Sequence, residues 1–557
     1  MDVDDFPRLI EALLRPDPYP HPADPVRHIE THISHVFLAG PYAYKLKKPL
    51  DLGFLDFSTL ERRRHCCEEE LRLNRRLAPD LYIGVIAITG TASAPRIGGE
   101  GPVQEYAVQM HRFAQAALLN RRELSGDLMD RLAEEVADFH ARIPVAACAG
   151  PFGTPEAVLA PMLENLDQIR ARIPLPDQLA RLDRLETWTC SRWEALIPAI
   201  ERRRRDGFVR ECHGDMHRGN IALIDGEIRI FDAIEFNPAL RWIDTASEVA
   251  FLIMDLEESG AVPLARRFLN RYLERSGDYG SLEVLDFYKV YRALVRAKVL
   301  AIRLRQADLD PAEVRQDVDN CGRYLALAES YTVRRSPRLL IACGLSGSGK
   351  SYLARRLREA LPLIHLRSDL ERKRLFGIAE ANTAPTSVDA GIYFPAATDW
   401  TYHRLLRLAE AILHDGYDAL VDATFITRER RARFRGWAAR HRVPFAILAM
   451  DAPLAVLRKR IRSRLAEGAD ASDANLEVLE HQRAALQALT SEERAHAVFI
   501  DTSRTPSLPE ILIRIETALV GASGDASLRQ GAPPESLEDE HHPGEHQDPR
   551  GQPRRQP

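Results

Sequence analysis

The stretch GLSGSGKS, residues 344–351, limits how this chain can fold more than any other. It follows the apolar run RLLIAC and opens a segment with helical patterning, so it joins a buried strand to the first turn of a helix. Gly344, Gly347 and Gly349, with Ser346 and Ser348 between them, let successive backbone N–H groups turn toward phosphate oxygens. Lys350 extends that cradle to the terminal phosphates, and the Ser351 hydroxyl is placed to ligate magnesium. The positive end of the helix adds to the attraction for an anion.

Around this loop the apolar segments LLIACG, ALVDATF and FAILAMDA alternate with helical segments, the signature of a doubly wound parallel sheet. The pattern begins near Ser336. A different organisation precedes it. HVFLAGPYAYKLKK, LYIGVIAITG and QEYAVQMHRF read as strands around one charged helix, TLERRRHCCEEELRLNRRLA, and long amphipathic helices such as LMDRLAEEVADFHARI follow. A chain of 557 residues exceeds one hydrophobic core. We therefore expect a multidomain α+β and α/β protein with units at 1–335 and 336–520. Residues 521–557 lack Phe, Trp, Tyr, Ile, Val and Met, and are expected to be a disordered tail.

The first unit carries a second signal. HGDMHRGN, residues 213–220, has the pattern H-x-D-x-x-x-x-N, and Asp232 follows in IRIFDAIEF. In-line transfer of a phosphoryl group needs a carboxylate to orient the acceptor hydroxyl, and an amide plus a second carboxylate to hold magnesium. Asp215, Asn220 and Asp232 supply those groups in that order. His213 is expected to buttress the loop, while a turn at Asp225–Gly226 brings Asp232 back beside Asn220.

In the second unit, Asp422 ends the apolar run of ALVDATF, where a carboxylate can hold the magnesium shell; a helix N-cap is the competing reading. Asp369 in LRSDLERKRL is read at the end of another strand with Arg372 and Arg374 behind it. That arrangement suits a proton-accepting base and an arginine for an anionic substrate, and again an N-cap. Arg460 and Arg464, four residues apart, share a helical face and can swing over a transferring phosphoryl group, or simply face solvent.

These second-unit motifs, SDLERKRL, DATF and the arginine-rich segment with DASDA, resemble the P-loop kinase group that includes gluconate kinase, zeta-toxin-like kinases and the polynucleotide 5'-kinase domain. The resemblance implies an ATP-binding, AAA-like kinase domain with Asp369 as base, Arg372 on the substrate, and Arg460 and Arg464 as lid arginines. The first unit resembles the aminoglycoside and choline phosphotransferases, a small-molecule branch of the two-lobed protein-kinase-like fold. That resemblance implies Lys45 on the nucleotide phosphates, Glu70 holding the lysine, and Asp244 as a structural aspartate; Lys47 and Glu69 compete for the first two roles. The segment before Lys45 departs from the protein-kinase pattern, having one glycine, Gly40, and no G-x-G-x-x-G loop. The two units in this order resemble a bacterial family labelled bifunctional aminoglycoside phosphotransferase/ATP-binding protein.

Composition narrows the remaining choices. The acidic, amphipathic start MDVDDFPRLIEALLRP is unlike a secretory signal, and seven scattered cysteines form no metal or disulfide pattern, so a cytoplasmic chain is expected. No apolar run approaches the roughly 18 residues that span a bilayer. A net charge of -5, with only a mild basic excess in the second unit, favours a small-molecule hydroxyl acceptor over nucleic acid. The leading expectation is an ATP- and Mg2+-dependent phosphotransferase. The alternatives are an ATP-binding regulatory protein with one silent domain, and a nucleic-acid 5'-end kinase.

Overall fold

The computed structural model describes residues 5–51, 53, 55–173, 175–304, 310–378, 392, 394–467, 474–505 and 507–524. The helix Leu508–Gly524 runs four residues into the tail expected from residue 521; the rest of that tail and the DASDA stretch before Ala474 lie outside the described residues.

Six strands open the chain: β1 (Arg27–Glu30), β2 (Ser34–Ala39), β3 (Tyr42–Lys47), β4 (Tyr82–Thr91), β5 (Ala94–Ile97) and β6 (Val103–His111). They form one antiparallel sheet in the order β1-β2-β3-β6-β4-β5. Side chains alternate across a strand, so Tyr44 and Leu46 of β3 enter an apolar cluster with Phe37, Ile88 and Ala107. Lys45 and Lys47 are thereby turned to the other face. There they meet the helix Leu60–Asn74, which packs against β4 and β6 and starts at Thr59, whose hydroxyl accepts from the Arg62 N–H.

The helical lobe is organised around the helix Thr245–Glu258, in which every residue from Thr245 to Leu256 is buried. A helix that is apolar on all sides belongs at the centre of a lobe, and the helices Val262–Ser276 and Leu282–Arg303 pack on it. Asp244, at its N-cap, accepts from the Ala246 N–H at 2.8 Å and pairs with the buried Arg203. Between the lobes lie β7 (Val209–Glu211), the hairpin of β8 (Ile221–Ile224) and β9 (Glu227–Ile230), and β10 (Trp242–Asp244), which pairs with β7.

The remaining strands are β11 (Leu339–Cys343), β12 (Leu363–Arg367), β13 (Asp418–Asp422), β14 (Phe445–Asp451) and β15 (Ala497–Asp501). They make a parallel sheet in the order β12-β13-β11-β14-β15. β11, β12 and β13 are almost entirely buried, as strands covered on both faces must be. β15 was not anticipated; it is an edge strand with every other residue turned outward. The apolar core does not stop near Ser336, because Leu339, Ile341 and Ile364 share one packed cluster with Phe268, Leu269 and Leu325. Among the described residues no helix is long and apolar enough to cross a membrane.

Arg203 holds the helical lobe together by bonding Asp244 at 2.7 and 2.9 Å and Asp278 at 2.9 and 2.8 Å, all three side chains being buried. Arg203→Ala strands two carboxylates out of water and is expected to cost about 3–5 kcal/mol. Arg202→Ala, which loses only an exposed pair with Glu283, is expected to cost under about 1 kcal/mol. Urea unfolding of the full chain, followed by far-UV circular dichroism, measures both.

Candidate active sites

In the amino-terminal site the chain leaves β7 through His213–His217, makes one tight helical turn at Arg218–Asn220 and enters the β8–β9 hairpin. Asp225 and Gly226 both have left-handed φ, 51° and 83°, which is what a two-residue turn between twisted strands requires. The register pairs Ile221 with Ile230, so Phe231 lands opposite Asn220 and donates its N–H to the Asn220 carbonyl at 3.0 Å. Asp232 follows directly, at φ 65°. Its return beside Asn220 is thus a consequence of hairpin length.

Three further bonds fasten the loop. The Ile234 N–H donates to the His213 carbonyl at 3.0 Å, and His213 Nε2 lies 2.8 Å from the Phe231 carbonyl. Since a carbonyl only accepts, Nε2 carries the proton, leaving Nδ1 to accept from the Asp215 N–H. Asn220 Nδ2 then bonds both the carbonyl and Oδ2 of Asp215, at 3.0 and 2.9 Å, fixing the carboxylate's orientation. Burial opposes charge on Asp215, but His217 and His213 outweigh it and hold the carboxyl well below its usual range. Such a group stays ionised in the folded chain.

Glu248 was not foreseen, and it anchors this loop. One of its oxygens accepts the N–H groups of His213 and Gly214, each at 2.7 Å, while the other faces His140 Nε2 at 2.8 Å. His140 Nδ1 in turn meets the Tyr272 hydroxyl at 2.9 Å. Gly214 has φ 89°, and a Cβ there would stand 2.7 Å from the Leu240 carbonyl oxygen, so the backbone can approach Glu248 only as glycine. The available signal was the lone carboxylate inside ASEVAFLIM, a helix otherwise apolar on all sides.

Lys45 donates to Glu70 Oε1 at 2.9 Å and also to Asp232, bringing both assigned partners together. Lys47 bonds the other oxygen of Glu70 and Glu235, fully enclosed. Glu69 instead faces Arg72 and Arg241. Geometry therefore separates the competitors: Lys45 reaches Asp232, Lys47 is locked beneath, and Glu69 touches neither lysine. Burial penalises the Glu70 carboxylate, yet the two ammonium groups overcome it and bring its pKa down to about 2. Asn220 and Asp232 offer oxygen donors of the kind a hard divalent cation takes.

In the carboxy-terminal site, Gly344 leaves β11 at φ 153°, and a Cβ there would stand 2.5 Å from the Met450 carbonyl oxygen. Ser346 through Gly349 wrap the start of the helix Lys350–Ala360. Lys350 Nζ bonds the Gly344 and Leu345 carbonyls at 2.9 and 3.0 Å; burial lowers its pKa, against the pull of Asp422 and Asp369. Ser351 Oγ donates to Asp422 Oδ2 at 2.6 Å, two oxygen donors fit for magnesium. Asp422 therefore does not cap a helix: it ends β13 facing the loop.

A cavity of about 460 Å³ is lined by Lys350, Ser351, Asp369, Arg372, Arg460 and Arg464 together with Asp422, so the second-unit residues singled out above, apart from Gly344, Ser348 and Arg374, converge on one space. Asp369 was expected at a strand end but stands in the first turn of the helix Ser368–Leu375, two residues past the end of β12. Arg374 turns away, to Glu371 and the Glu274 carbonyl. Arg460 is tied to the Gly347 carbonyl and Thr502, and Arg464 to the Ala474 carbonyl at 2.6 Å, and both line the cavity rather than forming a purely solvated face. Three residues were not foreseen: Gln482, which accepts the Ser346 N–H at 2.9 Å, Arg430 in the cavity wall, and His365 behind Asp422.

Two phosphate-handling sites of this make, on these folds, define a phosphotransferase of the kinase type. The comparisons agree. The phosphotransferase enzyme family matches residues 61–285 and the AAA domain matches residues 339–489. The chain belongs to one family with mycobacterial proteins that share this pairing of a phosphotransferase domain with a P-loop kinase-like domain. Uncharacterized proteins of Mycobacterium tuberculosis and Mycobacterium bovis are 32% identical to it over 450 residues, covering 80% of this chain and 87% of theirs. Among solved structures, amicoumacin kinase in complex with AMP-PNP, Ca2+ and Ami is 13% identical, covering 58% of this chain and 96% of its own at a TM-score of 0.38. A gluconokinase from Sinorhizobium meliloti 1021 is 22% identical, covering 35% and 96% at 0.23.

Burial raises the pKa of Asp422, but His365, Lys350 and Ser351 outweigh it and bring the carboxyl to about 2. A carboxyl depressed in the folded state stabilises the chain above its unfolded pKa, about 4, and loses that contribution as pH falls through 2. Between those limits the group adds a slope of up to about 1.4 kcal/mol per pH unit. Asp422→Asn should remove that slope, which urea midpoints collected from pH 5 to pH 2 would show.

Proposed function

We propose that the chain is an ATP-dependent phosphotransferase with two nucleotide sites, divided near residue 336, each moving the γ-phosphoryl group of Mg-ATP to a hydroxyl of a small molecule. The observation that carries the reading is that each site pairs a phosphate-directed lysine with metal-type oxygen donors and a separate carboxylate for the acceptor. A mere nucleotide-binding site needs no such third group.

In the amino-terminal site Lys45 meets the phosphates, Asn220 and Asp232 hold magnesium, and Asp215 orients the acceptor. In the carboxy-terminal site the loop from Gly344 to Ser351 cradles the phosphates, with Ser351 and Asp422 on the metal. There Asp369 faces the acceptor, Arg372 holds an anionic part of it, and Arg460 and Arg464 neutralise charge on the moving group. Magnesium, when bound, offsets the negative charge of the β- and γ-phosphates. In each transfer the acceptor oxygen bonds phosphorus as the bridge to the β-phosphate breaks, ADP departs, and the hydroxyl proton passes to the carboxylate or to water.

One observation favours a second reading for the amino-terminal site. The β1–β2 connection is Thr31-His32-Ile33, without a glycine to close over phosphates. In that reading the site senses nucleotide without transferring it.

A screen of sugars, nucleosides and amino alcohols with γ-labelled ATP tests both. Label leaving ATP only to water would remove the phosphotransferase reading. With acceptors found, Asp215→Asn should lower transfer to one of them by about 100-fold or more and spare the other, with Lys350→Ala doing the reverse. If Asp215→Asn alters only the ATP response of the Lys350-dependent activity, the sensing reading holds.

A further inference from the structure

The helix Val262–Ser276 belongs to the kinase-like half, yet it lies along β12 and the helix that follows the phosphate loop. Asn270 makes the junction specific. Its side-chain amide donates to the Leu363 carbonyl at 3.0 Å, and its oxygen accepts the His365 N–H at 2.8 Å. That pair of bonds is the pair a neighbouring strand would offer, so one asparagine continues the ladder at the free edge of the parallel sheet.

One helical turn further on, the same face presents Glu274. Glu274 Oε1 accepts from Arg358 Nη1 at 2.9 Å and lies 3.4 Å from His365 Nδ1. The other nitrogen of that ring, Nε2, is 3.2 Å from Asp422 Oδ2, the oxygen that accepts the Ser351 hydroxyl at 2.6 Å. Glu274, Arg358, His365 and Asp422 are all buried, at 4%, 2%, 1% and 5% exposure, so the series is shielded from bulk solvent. A carboxylate from one half thus reaches the metal donors of the other through a single imidazole.

We propose that Glu274 is a positioning residue of the carboxy-terminal site: through His365 it fixes the Asp422 carboxylate that holds Ser351, so the kinase-like half forms part of the magnesium–nucleotide site. Outer-shell partners of this kind commonly set metal affinity by 10- to 100-fold. The proposal rests on reading that site as Mg-ATP-binding.

Calorimetric titration of the full chain with ATP, with magnesium and with a chelator in its place, tests it, taking the binding component that Lys350→Ala abolishes. Glu274→Gln and His365→Gln should each weaken the magnesium-dependent component about 10-fold or more and leave magnesium-free ATP binding unchanged. The double variant should be no worse than either single one, as members of one series are. Tyr417→Phe, which breaks the bond from Tyr417 to Asp286 elsewhere on the same junction, should alter neither. Wild-type affinity in Glu274→Gln would overturn the proposal while leaving the site's reading intact. So would equal weakening by Glu274→Gln and Tyr417→Phe with and without magnesium, since packing alone would then account for it. A wild-type chain lacking the Lys350-dependent component would remove the reading and the proposal together.

Discussion

Glu70 sits fully buried between two lysine ammonium groups, and much of the amino-terminal half follows from the need to keep it there. A carboxylate out of water is tolerable only when matched by charge or donors. Lys45 and Lys47 supply the match because β3 sends alternate residues to one face and the helix Leu60–Asn74 lies across that face. The pairing in turn recruits Asp232 and Glu235 from the segment beyond the hairpin, linking the sheet to the loop that carries Asp215. Five charged residues, drawn from three separate stretches of the sequence, hold one another, and the cleft between the lobes is set by where they meet.

The carboxy-terminal site answers the same constraint with different parts. Asp422 is enclosed at the end of β13 and is met by the Ser351 hydroxyl and His365. His365 is enclosed in its turn and is met by Glu274 and by Asn270 through its backbone. In the amino-terminal half the groups suited to chemistry lie at the exposed end of a series of buried partners. Asp232 is 44% exposed and Asp215 34%, whereas Glu70 and Glu248 behind them are closed off from solvent.

What could be read from the residues alone was whatever chemistry is local in sequence. The phosphate loop occupies eight consecutive positions, and Asp215, Asn220 and Asp232 fall within eighteen, joined by a turn whose type Asp225–Gly226 dictates. The alternating strands and helices after Ser336 announced a parallel sheet for the same reason. Lys45 and Lys47 resisted choice because a two-residue period puts both on one face; only the third dimension shows which of them reaches Asp232. His365, Glu274 and Gln482 were invisible as site residues, and Glu248 showed only as an odd carboxylate in an apolar run, since each meets a group more than thirty positions away and no local pattern names the partner. Asp369 was misplaced by a boundary effect, β12 ending at Arg367 and a helix beginning at once.

The junction between the halves bears on why one polypeptide carries both. A parallel sheet exposes unpaired N–H and C=O groups along its edge strand, and leaving β12 open would cost hydrogen bonds and invite pairing with other chains. Here the edge is covered by a helix that already belongs to the kinase-like lobe, with Asn270 satisfying backbone groups and the Arg266 guanidinium bonding the Glu359 and Ala360 carbonyls at the end of the loop's own helix. Those carbonyls would otherwise lack partners, as the last turn of any helix does. Severing the chain near Ser336 would strip the sheet of its edge cover and the apolar cluster of Phe268, Leu269 and Leu325. The second half is therefore completed by the first in its fold, through ordinary hydrogen-bond and apolar requirements that hold whether or not a metabolite passes between the two sites.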